Sequence, residues 1–323
     1  MGRRFPGWVV DPQPGKQAST GKVHRNRMGR LCRKKRKGVN ADMIHNIYPL
    51  QVEGSQPYAR LVTYIQDDTD ALAVRQRPLV LLCPGGGYGR TSDREAESVA
   101  LQFLAMGYHA AVLRYSCAPS RYPTALLELA ASVRLIRENE ERWHVSPGKI
   151  VIQGCSAGGH LAACYCMFWK QDWLRERIGL GQADGELLRP AGMLLCYPVI
   201  TSGEFAHRGS FENLLGYVGE TLETGPSGEL LQLLSLENQV NEDVPPVFIW
   251  HTYTDQSVPV ENSLLLVGAL RRAGIPTEFH MYPRGAHGLA LATSLTQTSD
   301  GRCVQPECAS WLALARTWLE SIL

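Results

Sequence analysis

The sequence has no apolar run approaching the roughly 18 residues that a bilayer-spanning helix needs. It opens Met-Gly-Arg-Arg-Phe-Pro-Gly-Trp-Val-Val-Asp-Pro, with no long apolar stretch behind Arg3-Arg4, so neither an export signal nor a membrane association is expected. No disulfide framework is visible. The nine cysteines are odd in number, and Cys83, Cys164, Cys166 and Cys196 lie in apolar runs, where a reduced thiol packs as a small hydrophobe; this points to a reducing cytoplasm. Cys303 and Cys308 have no second Cys/His pair at ligand spacing, so unpaired surface thiols are expected there, and no metal. No internal repeat is visible. The glycine-rich stretch Gly85-Gly86-Gly87-Tyr88-Gly89-Arg90 lacks both the final Gly of a dinucleotide fingerprint and the Lys-Ser/Thr of a phosphate loop. Nucleotide binding is therefore a minor alternative, and no cofactor is expected.

The 323 residues, 44% hydrophobic, suffice for one large α/β domain or two ordinary ones. Residues 1–42 differ from the rest. They carry twelve Lys/Arg against Asp11 and Asp42, a local net of +10 that leaves −8 for the remainder of a chain whose total is +2. The run Arg33-Lys34-Lys35-Arg36-Lys37 could meet nucleic acid or anionic lipid. No aromatic interleaves it and no apolar periodicity accompanies it, which favours a disordered, solvated tail. Met43 reads as a natural start of the folded part, and upstream sequence read through from an earlier start codon is an open alternative for the tail.

Beyond Met43 two periods alternate. Apolar runs at 60–66, 78–83, 109–115, 149–153, 192–197, 246–251 and 277–282 are mostly continuous, as strands buried on both faces must be. Helical patterns occupy about 92–106, 123–140, 157–170, 260–273 and 308–322. The alternation implies a mostly parallel sheet covered on both sides. The stretch 171–245 exceeds one crossover, and a small cap-like insertion is expected within 203–240.

Ligands of such sheets bind beyond the carboxyl ends of the strands. There the sequence places a G-x-S-x-G elbow, Gly154-Cys155-Ser156-Ala157-Gly158, with Asp255 after 246–251 and His287 after 277–282. A serine hydroxyl needs an imidazole to take its proton and a carboxylate to orient that imidazole. The order Ser, Asp, His is that of α/β-hydrolases. Each residue has a plainer reading: Ser156 as an inert turn, Asp255 as a cap of the helix near Val258-Pro259, His287 as a loop histidine. Among rivals for the base, His251 and His280 belong to strands and His160 to the elbow helix. His24, His45, His109, His144 and His207 lie away from the required loop. Backbone N–H groups of Gly86, Gly87 and Ala157 are the expected oxyanion donors.

The segments Pro84-Gly85-Gly86-Gly87-Tyr88, Arg94-Glu95-Ala96-Glu97, Val112-Leu113-Arg114-Tyr115, Tyr122-Pro123-Thr124-Ala125, Gly154 through His160, Tyr197-Pro198-Val199, and His251 through Asp255 with Val258-Pro259 and Glu261-Asn262-Ser263 together resemble bacterial acetyl esterases of the α/β-hydrolase superfamily, in the branch with acetyl xylan esterases and related carbohydrate esterases. The resemblance covers about 43–323. Hormone-sensitive-lipase-type relatives carry His where this chain has Pro84, and often an acidic residue where it has Cys155. The resemblance implies an α/β-hydrolase fold of about eight strands with helices on both faces, and two-step acyl transfer from short-chain esters, chiefly acetyl on sugar hydroxyls, without metal or cofactor. Tyr88, Tyr217 and Tyr253 are then expected as sugar-stacking or pocket residues. A general short-chain carboxylesterase, or an amidase or peptidase on this fold, would share these motifs. Nucleic-acid binding would rest on the tail alone, and a homo-oligomer is compatible with the sequence.

Overall fold

The computed structural model describes residues 43–68, 72–216 and 228–323. The expected tail, 1–42, and the middle of the expected cap lie outside the described residues.

Eight strands form one sheet in the order β1-β2-β4-β3-β5-β6-β7-β8. They are β1 (Ile44–Pro49), β2 (Arg60–Ile65), β3 (Arg77–Cys83), β4 (His109–Arg114), β5 (Val145–Cys155), β6 (Gly192–Cys196), β7 (Val247–Thr252) and β8 (Thr277–Tyr282). β1, β2 and β4 pair antiparallel, and every pairing from β4 through β3 to β8 is parallel. Alternation along the central strands feeds two cores. Leu79 and Leu81 of β3 and Ile150 and Ile152 of β5 pack on one face with Leu126, Leu129 and Val133 of α2 (Thr124–Glu138), Leu161 of α3 (Ala157–Phe168) and Leu266 and Leu270 of a later helix. Val80, Leu82, Val151, Phe248 and Trp250 point the other way, toward Val99 and Phe103 of α1 (Glu97–Ala105) and toward Trp311, Trp318 and Leu319 near the chain end. Because both faces are covered, the central strands read as unbroken apolar runs rather than as alternating ones.

Two short helices, α4 (Asp172–Arg177) and α5 (Arg208–Leu215), lie on either side of β6, and α6 (Gly228–Leu234) follows. The larger α7 (Glu261–Arg272) and α8 (Trp311–Ile322) complete the set. The sequence periodicity located five of these eight helices and seven of the strands. β1 escaped it because its residues are exposed or half-buried, which leaves little apolar signal. The expected helix over 92–106 is instead a 3-10 turn, Asp93–Glu95, followed by α1.

All eight described cysteines are free. Cys303 and Cys308 are unpaired as expected, but Cys308 is buried beneath the 284–287 loop, with its thiol against the Arg284 carbonyl at 3.4 Å, so it is not a surface thiol. No helix among the described residues is long and apolar enough to cross a membrane.

Candidate active site

β5 ends at Cys155 and α3 begins at Ala157, so one residue must make the whole reversal. Ser156 does so at φ 55°, ψ −121°, a region that side-chain-bearing residues rarely enter. The turn closes only because the residues two before and two after Ser156 lack side chains. A Cβ on Gly154 would stand 2.2 Å from the Gly158 carbonyl oxygen, and one on Gly158 would stand 2.0 Å from that of Cys83. The conformation is pinned on both sides, by Ser156 N–H donating to the Cys196 carbonyl and Val199 N–H donating to that of Ser156.

The hydroxyl of Ser156 meets His287 Nε2 at 2.7 Å, and His287 Nδ1 meets Asp255 Oδ2 at 2.7 Å. With Nδ1–H donating to the carboxylate, Nε2 is left as an acceptor for the serine proton. Asp255 is buried in the turn after β7. Its Oδ1 accepts from the N–H groups of Ser257 and Val258 at 2.9 and 3.0 Å, so it shapes the entry to α7 as well as holding His287. Burial by itself would raise the carboxyl's pKa. The hydrogen bonds from His251 and His287, the charge of His287 and the Val258 N–H outweigh that and hold it well below the usual carboxylate range.

His251, which the sequence reading dismissed as a strand residue, is a second imidazole on the same carboxylate. Its Nε2 lies 3.0 Å from the Val258 carbonyl and 3.3 Å from Asp255 Oδ2. A carbonyl can only accept, so Nε2 carries the proton and Nδ1 accepts from the Ser263 hydroxyl at 2.8 Å.

Opposite Ser156 runs the loop after β3. Gly86 (φ 128°) and Gly87 (φ 64°) adopt conformations open to glycine, and a Cβ on Gly86 would stand 2.3 Å from the Arg90 carbonyl oxygen. The N–H groups of Gly86, Gly87 and Ala157 donate to no acceptor among the described residues. Glu95, also missed by the sequence reading, ties this loop to the histidine loop. Its Oε2 accepts from Gly85 N–H at 2.9 Å and its Oε1 from the Tyr197 hydroxyl at 2.8 Å. Tyr197 in turn accepts from Ala290 N–H at 2.9 Å and sets its ring edge-on to His287, with centroids 5.1 Å apart. Arg94 holds the same loop through the Gly288 and Thr296 carbonyls.

Of the three tyrosines expected as sugar-stacking or pocket residues, Tyr88 has its hydroxyl engaged within the protein. It is buried, and its hydroxyl donates to His160 Nδ1 at 2.9 Å, while His160 Nε2–H donates to the Leu234 carbonyl at 2.9 Å. It is a strut between the glycine-rich loop after β3 and the last residue of α6. Tyr253 is 65% exposed on the turn between β7 and Asp255. Tyr217 lies outside the described residues. The described parts of 203–240 do reach the site: Asn213 Nδ2 of α5 donates to the Gly87 carbonyl at 2.9 Å. Among the described residues no group of three or more His, Cys, Asp or Glu could hold a metal ion.

The sheet order and the strand-elbow-helix unit define an α/β-hydrolase. A family model described as BD-FAE matches residues 69–270, more than half of the sequence, and the chain belongs to the BD-FAE family. It is 37% identical over 221 residues to an endo-1,4-beta-xylanase B of Butyrivibrio fibrisolvens, covering 67% of this chain and 33% of that one. To an acetylxylan esterase of Xylanibacter ruminicola it is 28% identical over 214 residues, covering 65% and 40%. The chain thus spans a third to two fifths of the length of these two curated relatives. Among solved structures, an acetyl ester-xyloside bifunctional hydrolase from Caldicellulosiruptor lactoaceticus superposes with a TM-score of 0.70 at 35% identity, over 86% of this chain and 96% of that one. A carboxylesterase from Lactobacillus plantarum gives 0.71 at 29%, over 87% and 97%. These likenesses place the chain among carboxylic ester hydrolases.

Proposed function

We propose that residues 43–323 form a serine esterase that removes short acyl groups, chiefly acetyl, from carbohydrate hydroxyls. The observation that carries the chemistry is the continuous chain Ser156–His287–Asp255, two contacts of 2.7 Å, facing backbone donors that none of the described residues uses. Ser156 Oγ attacks the ester carbonyl while His287 Nε2 takes its proton. Asp255 keeps the imidazole in the tautomer that can accept and stabilises the imidazolium that forms. The carbonyl oxygen becomes an anion received by the N–H groups of Gly86, Gly87 and Ala157, each contributing on the order of 3 kcal/mol to lowering the barrier. His287 then returns the proton to the leaving alcohol, and water repeats the sequence on the acyl-Ser156 intermediate. The acetyl and sugar preference is supported by the relatives named for acetylxylan and acetyl ester-xyloside hydrolysis.

The test compares the intact chain with Ser156→Ala on p-nitrophenyl acetate, butyrate and octanoate, and on acetylated xylan with released acetate as readout. Cleavage of the short esters and of xylan acetate, abolished by the alanine, supports the reading. Cleavage of aryl esters alone leaves a general short-chain carboxylesterase, and full activity in Ser156→Ala removes the serine from the mechanism.

A further inference from the structure

His207 stands at the start of α5, on the part of the chain that closes over the oxyanion loop. Its Nδ1 is occupied: it lies 2.8 Å from the Ser210 hydroxyl and accepts the Ser210 N–H at 3.3 Å. An Nδ1 that accepts a backbone N–H carries no proton of its own, so the neutral ring holds its hydrogen on Nε2. No acceptor for that Nε2–H exists among the described residues. The ring is half-buried and leans on the oxyanion loop, with Cε1 3.8 Å from where a Cβ of Gly87 would stand. Burial first, then the charge of His287, depresses its pKa, while Asp255 acts in the opposite sense. The ring therefore sits within the electrostatic reach of His287 and Asp255, and the two contacts at Nδ1 fix its orientation.

Taking the ester-hydrolase reading as its basis, we infer that His207 Nε2–H is a specificity-determining donor to a hydroxyl or ether oxygen of the alcohol moiety of the bound ester. An acetyl group offers one acceptor besides the alkoxy oxygen, its carbonyl, and that oxygen belongs to the N–H groups of Gly86, Gly87 and Ala157. A further donor beside Gly87 has no use for the acyl side, whereas a polyhydroxylated alcohol brings several acceptors. An alcohol without hydroxyls leaves the donor unpaired, which is the usual source of discrimination by a polar site.

The alternative is that His207 only caps α5. Asparagine separates the two roles, because it is among the best N-cap residues and its side-chain oxygen can take the Ser210 N–H, but it is too short to present a donor where Nε2 stands. The experiment measures kcat/KM of the full chain, His207→Asn and His207→Ala on glycerol monoacetate, acetylated xylo-oligosaccharides and p-nitrophenyl acetate, with urea unfolding of each protein. The expected result is that both variants lose about three- to tenfold more on the hydroxyl-bearing esters than on the aryl ester, the worth of one neutral hydrogen bond, and that Asn unfolds like the parent. Equal losses on all substrates, or an Asn variant with the parent's substrate ratios, overturn the inference. If the parent cleaves glycerol monoacetate and aryl acetate but not the xylo-oligosaccharides, the carbohydrate reading fails. The glycerol-to-aryl ratio then still decides the role of His207.

Discussion

At the amino-terminal ends of β5, β6 and β7 lies a cleft of about 960 Å³, bounded by residues that include Arg137, Lys149, Lys170, Arg189, Glu242 and Asp243. At the carboxyl ends of the same strands stands Ser156, at 7% exposure in a far tighter setting. By size and charge the first cleft is the more obvious binding site. Its cations, however, are already used. Arg137 donates to the carbonyls of Leu187 and Arg189, Lys149 reaches the Leu323 carbonyl, Lys170 pairs with Asp243 at 2.7 Å and Arg189 with Glu186 at 3.2 Å. At the other end the backbone is bent against its preference, three N–H groups are left without acceptors among the described residues, and the carboxylate is fixed by four donors. What separates a site from a cleft here is unspent hydrogen-bonding capacity held in a fixed geometry, rather than volume.

That contrast can be broken most severely at Asp255. Asp255→Asn keeps the shape but removes the acceptor that fixes the His287 tautomer, so kcat on p-nitrophenyl acetate is expected to fall by about 10⁴. A loss below tenfold would mean that His251 or another group sets the tautomer. Next comes the elbow itself. The Cβ of Gly158→Ala meets backbone, the Cys83 and Pro84 carbonyl oxygens at 2.0 and 2.5 Å, which cannot swing aside. Overpacking of this kind costs roughly 3 kcal/mol or more, read from the urea midpoint at constant slope.

A comparable or smaller effect comes from the strut beneath the glycine-rich loop after β3. Burial holds His160 at about 4, the Leu234 carbonyl opposing it in part. The unfolded chain's histidine takes a proton near 6.5. Between those values the unfolded state binds more protons, so stability falls as pH drops from about 6.5 toward 4, by at most roughly 1.4 kcal/mol per pH unit for this one group. His109, also buried and held at about 4, adds in the same sense. His160→Gln removes one of these buried imidazoles, so the pH dependence of its unfolding free energy should be shallower than the parent's in that window. An unchanged slope would show that His160 is not a buried neutral histidine. The smallest effect is expected in the large cleft: Lys170→Ala removes a solvent-screened ion pair with Asp243 and should leave both the urea midpoint and kcat/KM on aryl acetate unchanged.

Much of the candidate site is legible in the sequence, because the residues concerned announce themselves locally. Ser156 sits between glycines at the end of an apolar run, and Asp255 and His287 each follow a strand. Glu95 and His251 could not be recognised in this way. The importance of Glu95 lies in long-range contacts with Gly85 and Tyr197, two positions with no periodic relation to it. His251 belongs to a fully buried strand, where its spacing marks it only as core. The burial of Tyr88 was hidden for the converse reason. A tyrosine beside a glycine-rich loop looks accessible, and only the packing of α3 turns its ring inward onto His160. The fold was legible through its buried strands, and least legible at β1, whose residues meet solvent.

The central claim is that Ser156 is the nucleophile activated by His287. The most direct measurement is stoichiometric labelling with diethyl p-nitrophenyl phosphate followed by peptide mass spectrometry. One phosphoryl group per chain on the peptide containing Ser156, with parallel loss of esterase activity and no labelling in Ser156→Ala, is the predicted result. Full inactivation with the label on another residue, or persistent activity in a fully labelled protein, would contradict it.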